Sequence, residues 1–172
     1  MHDSGKRQQF EGGAVRDTAE GKPQYSLLSP YVWKLIPLQR VIPDIEPSHR
    51  LDVMRRVCRR MCDYLLEHRP EFLESAFEEL SMSFGIDRLC EWLRLGAEKY
   101  DRFNWAKGMP ISRCIDSLGR HLSKWDKDDE DHIAAVMCNI MFIIHYHQAC
   151  EAGLLPKKWM DLWDFNQNKE AV

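Results

Sequence analysis

Residues 132–144 read HIAAVMCNIMFII, a helical run that is almost wholly apolar and is interrupted by one amide, Asn139. A run of that kind belongs in a core. A buried Asn without hydrogen-bond partners costs about 1–3 kcal/mol, so an amide at this position needs a reason. Asp131 and His132 open the same helix, and Asp131, His132, Ala135 and Asn139 follow one another at i, i+1, i+4 and i+8. That spacing lays them along one face, directed into a bundle. Upstream, Glu91, Glu98 and Lys99 mark another helix and Arg120-His121 a third. Carboxylates, His, Arg, Lys and Asn converging from several helices point to a metal–phosphate site.

The chain has 172 residues, enough for one domain with a substantial core. A hydrophobic content of 44% and a charged content of 30% are those of an ordinary globular protein. The net charge of −3 gives no global attraction to nucleic acid, so no direct nucleic-acid partner is expected. No uninterrupted apolar run reaches the ~20 residues of a membrane span, and no membrane partner is expected either. The start, MHDSGKRQQFEGG, lacks the apolar segment of a secretory signal. Six cysteines, at 58, 62, 90, 114, 138 and 150, form no C-x-x-C pair and fall in or near helices, where Cys acts as a small hydrophobe. A reducing compartment, the cytosol, is the expectation.

The expected fold class is all-α, an antiparallel helix bundle. Residues 1–24 are Gly-rich and polar and read as a tail, with one all-α domain over 25–172. A short helix is expected from about Pro30. Ser48 can cap a second helix with apolar positions Leu51, Met54, Val57, Cys58, Met61, Cys62 and Leu65. Pro70 suits the first turn of a third, which Gly85 ends. A fourth runs from about Ile86 to Tyr100, and the turn DRFNWAKGMP follows it. A fifth spans about Ser112–Trp125, a sixth about Asp129–Ala152, and Pro156 starts a short last one. No strand of convincing alternation appears.

Each candidate has a plainer reading beside it. Asp87, Glu91 and Glu98 share a stripe with Arg94, which on most helices is simply a solvated face. Oxygen ligands from two facing helices are nevertheless a natural source for Mg²⁺ or Mn²⁺. The acids of 126–131 suit a helix N-terminus through the macrodipole, yet Asp131 also heads the inward stripe. Arg120, Lys99 and Lys107 are candidate phosphate donors. Asn104 stabilises a bend in one reading, while Trp105 stacks on a nucleobase in the other. His145 and His147 point to different helix faces and are poor co-ligands. A His-Asp dipeptide, needed for an HD phosphohydrolase, occurs only at His2-Asp3.

Two blocks carry a family resemblance: GAVRDTAEGKPQYSLLSP, residues 13–30, and GAEKYDRFNWAKGMPISRCIDSLGRHLSKWDKDDEDHIAAVMCN, residues 96–139. They resemble the phage-encoded dATP/dGTP diphosphohydrolase family (MazZ-like), which is similar to the MazG-like all-α nucleoside triphosphate pyrophosphohydrolases. Residues 31–95 look partly like an insertion relative to compact relatives. The resemblance implies a MazG-like bundle that hydrolyses a purine deoxynucleoside triphosphate, dGTP first and GTP next, to its monophosphate. It also implies a setting in phage nucleotide metabolism linked to 2-aminoadenine DNA, in the host cytoplasm. Two or three Mg²⁺ or Mn²⁺ ions would be held by Glu91, Glu98, Asp128 and Asp131, with His121 and His132 as catalytic groups. Lys99, Asn104, Trp105, Lys107, Arg120 and Asn139 would bind substrate. Arg16 and Lys22 of the tail would order over it, and a homo-oligomer, dimer or tetramer, is implied. The pattern departs at Arg94, which stands where a second Glu after Glu91 is usual, and at Ala134. The competing functions are a non-catalytic helical adaptor docking through Trp159 and Trp163, and a house-cleaning pyrophosphohydrolase of other specificity.

Overall fold

The computed structural model describes residues 7–9, 11–12, 15–17, 22–37, 46–127 and 130–162. Five α-helices form the body among them: α1 (Pro47–Glu67), α2 (Pro70–Phe84), α3 (Asp87–Tyr100), α4 (Ile111–Leu122) and α5 (His132–Glu151). The chain is an all-α bundle. Helix α5 is its centre, packed by α4, α2 and α3, while α1 lies against α2. Sixteen of its residues, including Ile133, Met137, Ile140 and Ile144, are buried. A helix apolar on every side is stable only when neighbours cover every side. By length and hydropathy α5 alone would suffice for a membrane span, contrary to the expectation from run length, but 83% of its apolar window is buried inside the protein.

The helix ends follow local chemistry. Pro47 and Pro70 occupy first turns, where the missing N–H costs nothing. The start of α1 at Pro47, with Glu46 before it, replaces the expected Ser48 cap. Gly85 ends α2 at φ 85, a conformation that carries a Cβ penalty for other residues. Helix α5 starts at His132 and not Asp129, because Asp131 Oδ1 accepts from Ala134 N at 2.9 Å and so acts as the N-cap. Helix α4 stops at Leu122, and residues 123–126 continue as turns.

Helix α1 buries Val53, Met54, Val57, Met61 and Tyr64. Leu51, Cys58 and Cys62, expected in its core stripe, are exposed on the outer face. Arg56 and Arg60 both pair with Glu79 and tie α1 to α2. Two 3-10 turns, Tyr25–Leu27 and Pro30–Leu35, stand where one short helix was expected and lie along α3, α5 and α2. Ser29, fully buried, anchors them through its Oγ, 3.0 Å from His145 Nδ1. Inside the expected tail, Arg7–Gln9 and Val15–Asp17 pair antiparallel, Arg7 opposite Asp17 and Gln9 opposite Val15. Three-residue strands are too short for alternation to show in sequence. The last 3-10 turn is Lys157–Trp159, and its neighbour Asp161 accepts from Ser112 N and Oγ at the start of α4.

Candidate functional site

Helices α3, α4 and α5 converge without closing. Between them lies a cavity of about 430 Å³, within the usual size range of small-molecule sites. The space exists because small residues face one another there: Gly96 and Ala97 on α3, Ser117 on α4 and Ala135 on α5. A Cβ placed on Gly96 would meet nothing within 4 Å. One end of the cavity is aromatic. Trp105 stacks on Phe142 with ring centroids 5.7 Å apart and sets its edge against His145. Its carbonyl accepts from Tyr146 Oη at 2.7 Å. Tyr100 and Phe103 stand exposed at the same end.

The turn that carries these aromatics is strained. Asp101 has φ 92 and ψ 152, and Phe103 has φ 58 and ψ 20. The first is a region occupied almost only by glycine, and such residues persist where surroundings over-determine them, often at functional sites. Both line the cavity. Arg113, Ser117 and His121 recur every four residues along α4 and form one wall. The Arg113 side chain has no partner among the described residues. Asn139 Nδ2 donates to Ser117 Oγ at 3.3 Å and Ala135 O at 2.8 Å, so the buried amide has the partners its position demands.

At the other end His121 meets the start of α5. His121 Nδ1 lies 3.0 Å from His132 Nδ1. Glu130 Oε2 lies 3.4 Å from His132 Nδ1 and 3.7 Å from His121 Nδ1. The Trp92 ring holds His121 edge-on at 6.0 Å. Burial lowers the His121 pKa from its ordinary value; the negative charge of Glu130 opposes this, and His132, Arg120 and Lys124 add to it. His121, Glu130 and His132 form a group that could hold a metal ion. Sequence spacing gave no sign of Glu130, which reads as one more acid at a helix start.

The remaining expected residues divide by place. Asn104, Trp105, Asn139 and His121 line the cavity. Trp105 is built into the wall, with one face on Phe142. Asn104 Oδ1 accepts from Lys107 Nζ at 3.2 Å. Glu91 and Glu98 are exposed and both pair with Arg94, the first through two contacts of 2.8 and 2.7 Å. The hydrogen bond from Arg94 holds the Glu91 pKa below its usual value. Asp131 caps α5 through Oδ1 and pairs through Oδ2 with Arg88 Nε at 3.2 Å. Lys99 lies over the Tyr100 ring, and Arg120 is exposed near the end of α4. Arg16 pairs in register with Gln8 in the hairpin, and Lys22 is exposed. Asp128 lies outside the described residues, as does Trp163. Trp159 lies against Gly108 and is half-buried. The sequence reading missed Tyr100, Asp101, Phe103 and Arg113.

Residues 78–153 match the family model described as dATP/dGTP diphosphohydrolase, N-terminal, so over that segment the chain is similar to this family. The match begins in α2, takes in α3, the 101–110 turn, α4 and α5, and so contains the His121–Glu130–His132 group and the cavity lining apart from Leu27; the 13–30 block lies outside it. No curated protein and no solved structure matches the chain.

Proposed function

Taking the 78–153 segment as a dATP/dGTP diphosphohydrolase domain, we propose that the cavity between α3, α4 and α5 converts a purine deoxynucleoside triphosphate to its monophosphate. The substrate is dGTP, with GTP next. One observation carries this reading: a single cavity is aromatic at one end and is lined at the other by His121, which belongs as well to the His121–Glu130–His132 group. From His132 to Phe142 along α5 the histidine group and the aromatic end lie roughly 15 Å apart, at 1.5 Å per residue. A nucleotide is polar in the same sense, with a flat base at one end and phosphates at the other.

In this reading Tyr100, Phe103 and Trp105 enclose the base, and Asn104 and Asn139 offer amides to its edge or to the sugar. Arg113 from the α4 wall and Arg120, Lys99 and Lys107 from the rim supply positive charge, which positions phosphates and neutralises their developing charge. His121, kept neutral by burial, and His132 present ring nitrogens at the phosphate end as ligand or proton acceptor. A bound Mg²⁺ or Mn²⁺ would lower the pKa of the attacking water and offset phosphate charge. Glu91 and Glu98 join the ligand set for further ions only by exchanging Arg94. The 22–37 strap, which contributes Leu27 to the cavity wall, connects the hairpin bearing Arg16 to the site. The setting is phage nucleotide metabolism in the cytoplasm, and the working unit is a homo-oligomer.

The test is a nucleotide panel with Mn²⁺, Mg²⁺ or EDTA and products resolved by anion-exchange chromatography. Conversion of dGTP to dGMP that stops in EDTA is the expected result. No turnover of any triphosphate with either metal would refute the reading and leave a nucleotide-binding adaptor in its place.

A further inference from the structure

We propose that His121, Glu130 and His132 form a mononuclear site for a first-row transition ion, taking Mn²⁺, Co²⁺ or Zn²⁺ without nucleotide and discriminating against Mg²⁺. The three facing atoms, His121 Nδ1, His132 Nδ1 and Glu130 Oε2, have mutual separations of 3.0, 3.4 and 3.7 Å. The point equidistant from them lies roughly 2 Å from each, the length of a zinc–imidazole or zinc–carboxylate bond. The spacing of the three atoms therefore matches that of a ligand set around one ion.

Two of the three ligands are also pre-set. The His132 side chain is 1% exposed and the His121 side chain 19%. The Trp92 edge fixes one ring, and the first turn of α5 carries the other. Asp131, between Glu130 and His132 in sequence, is held by two partners, the Ala134 N–H and Arg88. It acts as a positioning residue that fixes the backbone joining two ligands, the kind of support on which metal sites depend.

The donor set decides the ion. Imidazole nitrogen suits Zn²⁺ and the transition ions, whereas Mg²⁺ seeks oxygen and gives up its waters reluctantly. Three protein ligands leave at least one position open, as in catalytic and not structural zinc sites. That position adjoins the cavity, because His121 belongs to both. The proposal goes beyond the nucleotide reading and is measured without nucleotide, so failure of either leaves the other standing.

The experiment uses the full chain stripped with EDTA, titrated with Mg²⁺, Mn²⁺, Co²⁺ and Zn²⁺ by calorimetry and, for Co²⁺, by visible absorption. One Co²⁺ per chain is expected, bound at least about 100-fold more tightly than Mg²⁺. Glu130→Gln and His121→Gln should each weaken Co²⁺ by about tenfold or more and alter its absorption bands. Glu130 is half-exposed, so Glu130→Gln should melt like the wild type and keep the test readable if His121→Gln is less stable. Mg²⁺ binding as tightly as Co²⁺, or Co²⁺ affinity unmoved by both variants, would overturn the proposal. So would loss of Co²⁺ in Glu91→Gln alone, which moves the ion to α3, or a sulfur-to-cobalt charge-transfer band, which moves it to cysteine.

Discussion

Acid should weaken this fold through His147. His147 is 5% exposed, and its Nε2 stands 2.7 Å from Tyr64 Oη on α1. Burial, reinforced by the like charge of His68 and opposed by Glu71, lowers its pKa to about 4. The Tyr64 hydroxyl, whose own pKa burial raises, shares this hydrogen bond with the imidazole. In the unfolded chain a histidine titrates near 6.5. As pH falls from about 6.5 towards 4, the unfolded state takes up a proton that the folded state refuses, and stability is lost across that window. Above it the contribution is complete; below it both states are protonated and nothing more is lost from this group. Linkage gives a loss of about 2 kcal/mol between pH 7 and pH 5. Urea unfolding at pH 7, 6 and 5 measures it, with His147→Gln as the comparison, since Gln keeps a polar partner for Tyr64 and does not titrate. His121 and His145 are also lowered by burial, but they contribute to both proteins and cancel in the difference. Equal pH slopes for wild type and variant would refute the reasoning.

Gly96→Ala should stabilise α3 by about 0.5–1 kcal/mol, whereas Gly96→Met, projecting into the cavity, should raise KM for the triphosphate several-fold at unchanged Tm. Asp101→Gly should relieve about 1 kcal/mol of backbone strain and raise Tm by about 2–4 °C in a scanning melt; a concurrent fall in kcat/KM would show that the carboxylate is held there for substrate. Gly108→Ala should cost about 2 kcal/mol in urea unfolding, because its φ is +85 and a Cβ would come within 2.9 Å of Trp159 Nε1.

The elements most legible in the sequence were those whose ends are written in single residues. Pro70 and Gly85 bracket α2, whereas the cap of α5, Asp131, reads by spacing as a metal ligand inside a helix from about Asp129. The end of α4 was overrun, since Ser123–Asp126 continues as turns and a fading helix leaves no stop residue. The outer face of α1 was misread because Cys58 and Cys62 keep helical spacing with the core positions yet are exposed. Spacing correctly placed Glu91 and Glu98 on one face. It also offered Arg94 as their counter-charge, which is the pairing seen.

The site itself was half legible, for a physical reason. Periodicity reports which residues share a face of one helix, and it therefore found Ala135 and Asn139 on α5. It is silent about contacts made through a connection. His121 and His132 are eleven residues apart, at the end of α4 and the start of α5, and they meet because Asp131, fixed by Arg88, starts α5 beside the end of α4. The cavity is illegible for the complementary reason. Gly96, Ala97, Ser117 and Ala135 look like ordinary close-packing residues when each helix is read alone. Only their coincidence on three facing helices turns small size into empty volume. The positions that make a site here are thus the ones a one-helix argument scores as unremarkable: a loop glutamate, a glycine with nothing opposite it and an alanine where a larger core residue would fit. A polar residue is conspicuous by itself, whereas a gap is a property of neighbours, so the chemical end of this cavity could be suspected from sequence and its shape could not.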